Sequence, residues 1–285
     1  MSTRQRPQSG ATVERDLAGR RLAVVILTLN EARRIARCIG AVPVGIPVYV
    51  LDSGSMDETC DIAEAAGAKV LCNPWPGFAG QRNHALDRLA DVEWVLFVDA
   101  DEAFPPALFD WVADFIAPDP PIDVVQIPSK LRLDGTILRH APGYPIYHPR
   151  LARTGRAYFV NNGTGHGETV AQGLRIAHAP VGYVHDFLDD GYANWAAKHV
   201  RLARLEVAAA GAAAKASGVA SFRRRLARLA PKGLSRVVLR FCFHYLVCRG
   251  FLDGRAGFRY SLIYAWYEAT KWLVSRDPPD PHAEG

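Results

Sequence analysis

Over its first hundred residues the chain alternates unbroken apolar runs with segments of helical spacing. "RLAVVILTL" (21–29) is apolar almost throughout and rich in β-branched residues, the pattern of a strand covered on both faces. "NEARRIARCIGAV" after it has the period of a helix. "IPVYVLDSG" (46–54) predicts a second strand, "ETCDIAEAAG" (58–67) a short helix closed by Gly67, and "AKVLCNP" (68–74) a third strand. A Gly- and Pro-rich loop leads into helical "QRNHALDRLA". Then "WVLFVDADEAF" (94–104) predicts a fourth strand running into Asp99, Asp101 and Glu102. This alternation specifies a parallel sheet with crossover helices. Past Pro105 come a helix, "PALFDWVADFI", and then "VVQIPSKLRLDG" and "AYFV", which predict antiparallel strands completing a mixed sheet. From Tyr192 onward the pattern is helical. The boundaries expected are a polar tail at 1–20, an α/β domain at 21–188, a helical region at 189–276 and a second tail at 277–285.

In an open α/β sheet the ligand crevice lies outside the carboxyl ends of the strands. Here those ends deliver Thr28, Asn30 and Glu31, then Asp52, then a loop bearing Arg82 and Asn83, then Asp99 and Asp101. Alternate residues of extended chain share a side, so the Asp-x-Asp pair can hold one hard divalent cation. Mg²⁺ or Mn²⁺ in such a site keeps several waters and is completed by substrate phosphates, which points to a phosphorylated ligand; the bland alternative is a solvated acidic loop. Asp52 can accept a hydrogen bond from a nucleobase imino group and Glu31 from ribose hydroxyls, and both, like Asn30, can equally cap helices. Arg82, following Gly77 and Gly80, is a candidate cation for a diphosphate. No GxGxxG and no GxxxxGK[ST] is present. His185 reads as a residue closing the last strand and packing on the helical region rather than as a ligand.

Composition narrows the class further. With 285 residues, 49% of them hydrophobic, the chain can bury a large domain and a smaller appendage. Net charge is a modest +5, yet residues 198–259 hold fourteen Lys or Arg against Glu206 and Asp253 alone. Arg236, Arg240 and His244 recur every four residues, which predicts a helix lying on an anionic inner-leaflet surface. No recognised nucleic-acid module accompanies the basic residues, so nucleic acid is not an expected partner. Five scattered cysteines form no CxxC, and the first twenty residues lack an apolar core of a signal segment, so a cytoplasmic, peripherally attached protein is expected.

"ILTLNE", "VLDSGSMDET", "GFAGQRNHAL" and "FVDADE", in this order and spacing, resemble the nucleotide-sugar half of the family 2 glycosyltransferases. "LRHAPGYPIYHPRLAR", "VHDFLDDGYANWAAKHVRLARLE" and "CRGFLDGRAGF" resemble the branch with lipopolysaccharide core β-glucosyltransferases and relatives in exopolysaccharide assembly. The resemblance implies a GT-A fold, a Rossmann-like mixed sheet with helices on both faces. It implies inverting transfer of a sugar from a nucleotide-sugar, usually a UDP-sugar, to an acceptor hydroxyl on an envelope or lipid-linked glycan. Glu31 and Asp52 would then hold the nucleoside, Asp99 would sit near ribose and a metal water, and Asp101 would coordinate the cation. The family's base usually comes from a His-Glu pair. Here "NNGTGHGET" places Gly167 between His166 and Glu168, with Glu168 favoured as the base and His166 as orienting partner or rival. Two other readings are a sugar-1-phosphate nucleotidyltransferase, whose Gly-rich loop after the first strand is missing from "TLNEARR", and an inactive nucleotide-sugar-binding protein.

Overall fold

A computed structural model describes residues 21–277 apart from 143–144, 162–166, 190 and 217–232. The chain divides into two compact units. The first takes the described residues up to Ser129 together with 147–160 and 169–185; the second takes 130–146, 161–168 and the chain from Asp186. Two segments that the sequence pattern assigns to the α/β domain therefore belong with the helical region.

In the first unit, β1 (Leu22–Thr28) lies between β2 (Val48–Asp52) and β4 (Trp94–Asp99), and β3 (Lys69–Cys72) flanks β2, all parallel. The central β1 and β4 are buried almost throughout because successive side chains feed opposite layers, while the flanking β3 is partly exposed. Leu22, Val24 and Ile26 of β1, with Trp94, Leu96 and Val98 of β4, pack into one core with α1 (Ile35–Gly40) and α4 (Pro106–Ile116). Ala23, Val25, Val95 and Phe97 enter the other, against α3 (Phe78–Arg88). The short α2 (Thr59–Ala65) joins β2 to β3.

Beyond β4 the sheet turns mixed. β8 (Ile146–Arg153) runs antiparallel to β4, pairing Leu96 with Leu151 and Trp94 with Arg153. β6 (Val124–Leu133) follows β8, with the short β11 (Ile176–His178) parallel to it, and β12 (Tyr183–Asp186) follows β6. β5 (Glu102–Ala103) pairs antiparallel with β12, setting Glu102 opposite His185. β9 (Phe159–Asn161) and β10 (Glu168–Val170) form a separate two-stranded ribbon. Gly182 is required by the close approach of two strands: a Cβ there would lie 2.2 Å from the Pro128 carbonyl oxygen.

The second unit contains β7 (Thr136–Ile137), α5 (Gly191–Ala216), α6 (Leu234–Cys242), a π turn (Phe243–Val247), a 3₁₀ turn (Gly250–Asp253) and α7 (Gly254–Val274). Its core collects Leu131, Leu133, Leu138, Phe187, Tyr260 and Ile263. "CRGFLDGRAGF" is the hinge of this packing. The Asp253 carboxylate, 3% exposed, accepts the backbone N–H groups of Arg139, His140 and Ala141 at 2.8–3.0 Å and the His140 ring nitrogen at 3.0 Å. Those donors outweigh burial and hold its carboxyl below the usual carboxylate range.

The stripe of Arg236, Arg240 and His244 is only partly open: the Arg236 side chain is 54% exposed, that of Arg240 35%, and His244 is buried. Arg236 and Arg240 converge on the buried carboxylate of Glu268 in α7 at 2.9 and 2.7 Å, joined by Lys271 at 3.0 Å. His244 is buried and pairs through Nδ1 with the Ala141 carbonyl at 2.8 Å. The stripe therefore packs at Arg240 and His244 and borders solvent at Arg236, and its two arginines answer a Glu268 that would be costly to bury bare.

Candidate active site

The strand ends meet as the topology requires: Thr28 pairs with Asp52 and Leu27 with Asp99, so β1 carries an acidic residue on each side. The two carboxylates have different employment. Asp52, 2% exposed, accepts from Thr28 Oγ1 at 3.1 Å and Ser55 Oγ at 2.5 Å on one oxygen, and from the Gly54 and Ser55 backbone N–H groups at 2.9 and 2.8 Å on the other. Burial works against its charge, and the four donors prevail and lower its pKa. Direct contact with a base, expected from the sequence, would have to displace one of these bonds. The carboxylate's work is to shape the turn after β2.

That turn is laced to the turn after β1. Asn30 sits in the left-handed region at φ 57°, its amide N–H donating to Ser55 Oγ at 2.7 Å while its Oδ1 accepts from the Met56 N–H at 2.9 Å. The Glu31 N–H donates to Thr59 Oγ1 at 2.7 Å, and its carboxylate accepts from Arg34 at 2.6 Å. Asn83 likewise forms a reciprocal pair with the Phe159 backbone, at 2.9 and 2.8 Å. Gln81, fully buried and not singled out by the sequence pattern, ties Asn73 to Ser53. Thr28, Asn30, Asn83 and Asp52 thus hold the rim in shape.

At β4 the pattern changes. Asp99 accepts from Arg82 Nη2 at 3.4 Å on Oδ1 and from Arg150 Nη2 at 2.6 Å on Oδ2. Arg150 also reaches Glu102 at 2.5 Å and the Tyr183 hydroxyl at 3.2 Å. Glu102 in turn accepts the Asp99 backbone N–H at 3.1 Å. Burial opposes ionisation of Asp99, yet Arg150 and Arg82 hold it at about 2. Arg82 is only 1% exposed and lies over the rings of Phe97 and Phe159, 5.0 and 5.8 Å from their centroids. It is the residue that the sequence offers as a cation near a diphosphate, and in the structure it is bound to Asp99.

Two arginines therefore balance Asp99 and Glu102, whereas Asp101, whose side chain is 32% exposed beside the 36% of Asp99, has no arginine within ion-pair distance among the described residues. Nδ1 of His185 lies 4.0 Å from the Asp101 carboxylate. That nitrogen is buried and makes no hydrogen bond among the described residues. An orphaned imidazole nitrogen beside a carboxylate fits a cation with two protein ligands and the rest from phosphate and water, the usual constitution of an Mg²⁺ site. Among the described residues no group of three or more His, Cys, Asp or Glu is arranged around one point. His185 is the residue that the sequence discounted. The signal was weak because only the β5–β12 pairing brings position 185 beside 101. His148 on β8 was also missed; burial first, then the Arg150 charge, press its pKa down to about 4 against the pull of Asp99.

Glu168 opens β10, and His166 lies outside the described residues. Glu168 belongs to the second unit.

The strand ends thus gather Asp52, Asp99, Asp101 and His185 on an open α/β sheet, whose ligand crevice lies at that edge. The chain matches Glycosyl transferase family 2 over residues 23–182, more than half its length, and belongs to that family, with its GT-A-like mixed sheet. It is 44% identical over 91 residues to an uncharacterized glycosyltransferase of Rickettsia felis, covering 32% of each chain. It is 31% identical over 101 residues to the lipopolysaccharide core biosynthesis glycosyltransferase LpsC of Rhizobium meliloti, covering 34% of this chain and 37% of that one. The chain thus spans about a third of the length of these curated relatives. Among solved structures, glucosyl-3-phosphoglycerate synthase of Mycobacterium tuberculosis in complex with Mn²⁺, UDP and glucosyl-3-phosphoglycerate is similar at 30% identity and TM-score 0.36, over 46% of this chain and 51% of that one.

Proposed function

We propose that this protein transfers a sugar, with inversion, from a nucleotide-sugar, most simply a UDP-sugar, to a hydroxyl of a lipid-linked or envelope glycan at the inner face of the cytoplasmic membrane. The family supports the reaction class, and the observation that carries the site is the Asp101–His185 pair with its orphaned nitrogen. Asp101 and His185 would hold Mg²⁺ or Mn²⁺. When bound, such an ion supplies positive charge against the diphosphate leaving group.

The chain's own residues do the rest. Arg82 and Arg150 keep Asp99 ionised and fixed, so that it can accept a ribose hydroxyl or a water without swinging away. Asp52 and Asn30 stiffen the two turns against which a nucleoside would lie, with Glu31 the carboxylate at its ribose. Glu168 is the proposed base for the acceptor proton, with His166 beside it in sequence.

The test is a mass-spectrometric screen of sugar nucleotides, combined with Mn²⁺-dependent thermal stabilisation by UDP. Wild type should be stabilised only when both are present. Asp101→Asn and His185→Ala should each lose that stabilisation and lower turnover at least about a hundredfold, as loss of a metal ligand does. Glu168→Gln should keep the stabilisation and lose turnover. If it instead turns over within a few-fold of wild type while Asp101→Asn is dead, the base is elsewhere. If His185→Ala retains the Mn²⁺ response, the ion is not held there.

A further inference from the structure

With Arg240 and His244 packed inward, α6 and its continuation turn large apolar side chains to water. Val238, Leu239, Phe243, Leu246 and Val247 are 46–70% exposed, and successive positions in this set share one side of the helix. The surface continues onto the 3₁₀ turn through Phe251 and Leu252 and onto α7 through Phe258 and Leu262, all 47–56% exposed. Ring contacts join these elements: Tyr245 lies 6.3 Å from Phe251 and 5.7 Å from Phe258, and Phe241 lies 5.6 Å from Phe258. Nine large apolar side chains facing water together exceed what a monomer's surface ordinarily carries without use.

Charge decides the occupant. Between 234 and 276 the carboxylates are Asp253 and Glu268, and both side chains are 3% exposed and consumed by internal partners. The cations Arg249 and Arg255, in contrast, are exposed at the edge of the apolar surface. A second copy of this chain docked by two-fold symmetry would set these arginines near their own counterparts with no exposed acid from 234–276 to answer them, and Asp134 beside α7 is already taken by Arg259. An anionic bilayer answers both features at once, apolar side chains entering the acyl boundary and arginines meeting headgroups. No helix among the described residues is long and apolar enough to cross a membrane.

We infer that the apolar face of residues 238–262 is a bilayer-insertion surface, with Leu246 and Val247 at its centre and Arg249 and Arg255 at its edge reading anionic lipid. This deepens the proposed function by locating its membrane partner, and it replaces the cationic stripe as the contact. Affinity rests on buried apolar area, and the arginines set lipid preference.

Flotation of the full-length protein with vesicles of phosphatidylcholine, with and without phosphatidylglycerol, tests it. Wild type should float with the mixed vesicles. Leu246→Glu/Val247→Glu should lower the partition coefficient at least about tenfold, the expected effect of withdrawing two apolar side chains. Arg249→Asn/Arg255→Gln should reduce the preference for the anionic vesicles and its salt dependence. If the Glu double variant loses its fold by circular dichroism, Phe251→Ser in the exposed turn carries the same expected direction. The inference is overturned if wild type stays in the bottom fraction, if the folded variants float like wild type, or if sedimentation velocity shows a wild-type dimer that the double variant dissociates. UDP-sugar turnover in vesicle-free solution should be unchanged in these variants. Flotation without any turnover would sink the transfer reading and leave this surface standing.

Discussion

Arg150 is the residue on which the acidic rim depends. Its guanidinium is 5% exposed and holds Asp99 and Glu102 at once, so its loss strands two carboxylates, one of them 3% exposed. Arg150→Met should cost about 3–5 kcal/mol in urea unfolding, the usual effect of breaking a buried pair from one side. Arg150→Lys should recover only part, because a single ammonium cannot fork to both acids. His148 gives a separate readout. Its pKa is about 4 in the folded chain and near 6.5 when unfolded, so between these values the unfolded chain binds the extra proton. Stability of the metal-free protein should therefore fall as pH drops from about 6.5 to about 4 and lose this dependence below. His148→Gln should flatten that slope in melting temperatures measured with a chelator. His244, lowered by burial, adds a slope of the same sign that the variant keeps.

At the scale of elements, the four parallel strands were legible because each is a continuous apolar run, and their ends supply the acidic residues. What the pattern did not reveal was β8 as the neighbour of β4. Its pairing joins residues more than fifty positions apart, and "YHPRLAR" carries no alternation that names a partner. Arg150 and His148 reach the site only through that strand. The glycines of "CRGFLDGRAGF" are similarly non-local in meaning. A Cβ on Gly257 would stand 1.9 Å from the Gly250 carbonyl oxygen, so α7 packs on the 3₁₀ turn by backbone contact. Gly257→Ala should destabilise the protein by about 1–3 kcal/mol through forced separation of these elements, visible as a lower denaturation midpoint. An unchanged midpoint would mean that this contact is dispensable. The expected motif residue Gly80 has a comparable role, a Cβ there meeting Pro76 at 2.7 Å.

Across the whole molecule, the division into two units follows neither terminus of the α/β pattern, since 130–146 and 161–168 join the helical unit. The charge count leads to the expectation of an anionic neighbour for the C-terminal region, but it does not say that Arg240 and His244 pack inward while Arg236 stays 54% exposed. Periodicity assigns residues to faces and cannot say which face is packed; that choice fell to Glu268 and Ala141, which bind the polar stripe. The sequence by itself determined the four parallel strands of the first half, the position of Asp52, Asp99 and Asp101 at their ends, and the family, because these follow from local apolar patterning and short spacings. Tertiary structure alone decided which carboxylates are neutralised and which stays open. It placed His185 beside Asp101 and left the apolar face of α6 in water. Such outcomes arise from pairings between distant strands and helices, where geometry rather than spacing selects each charge's partner.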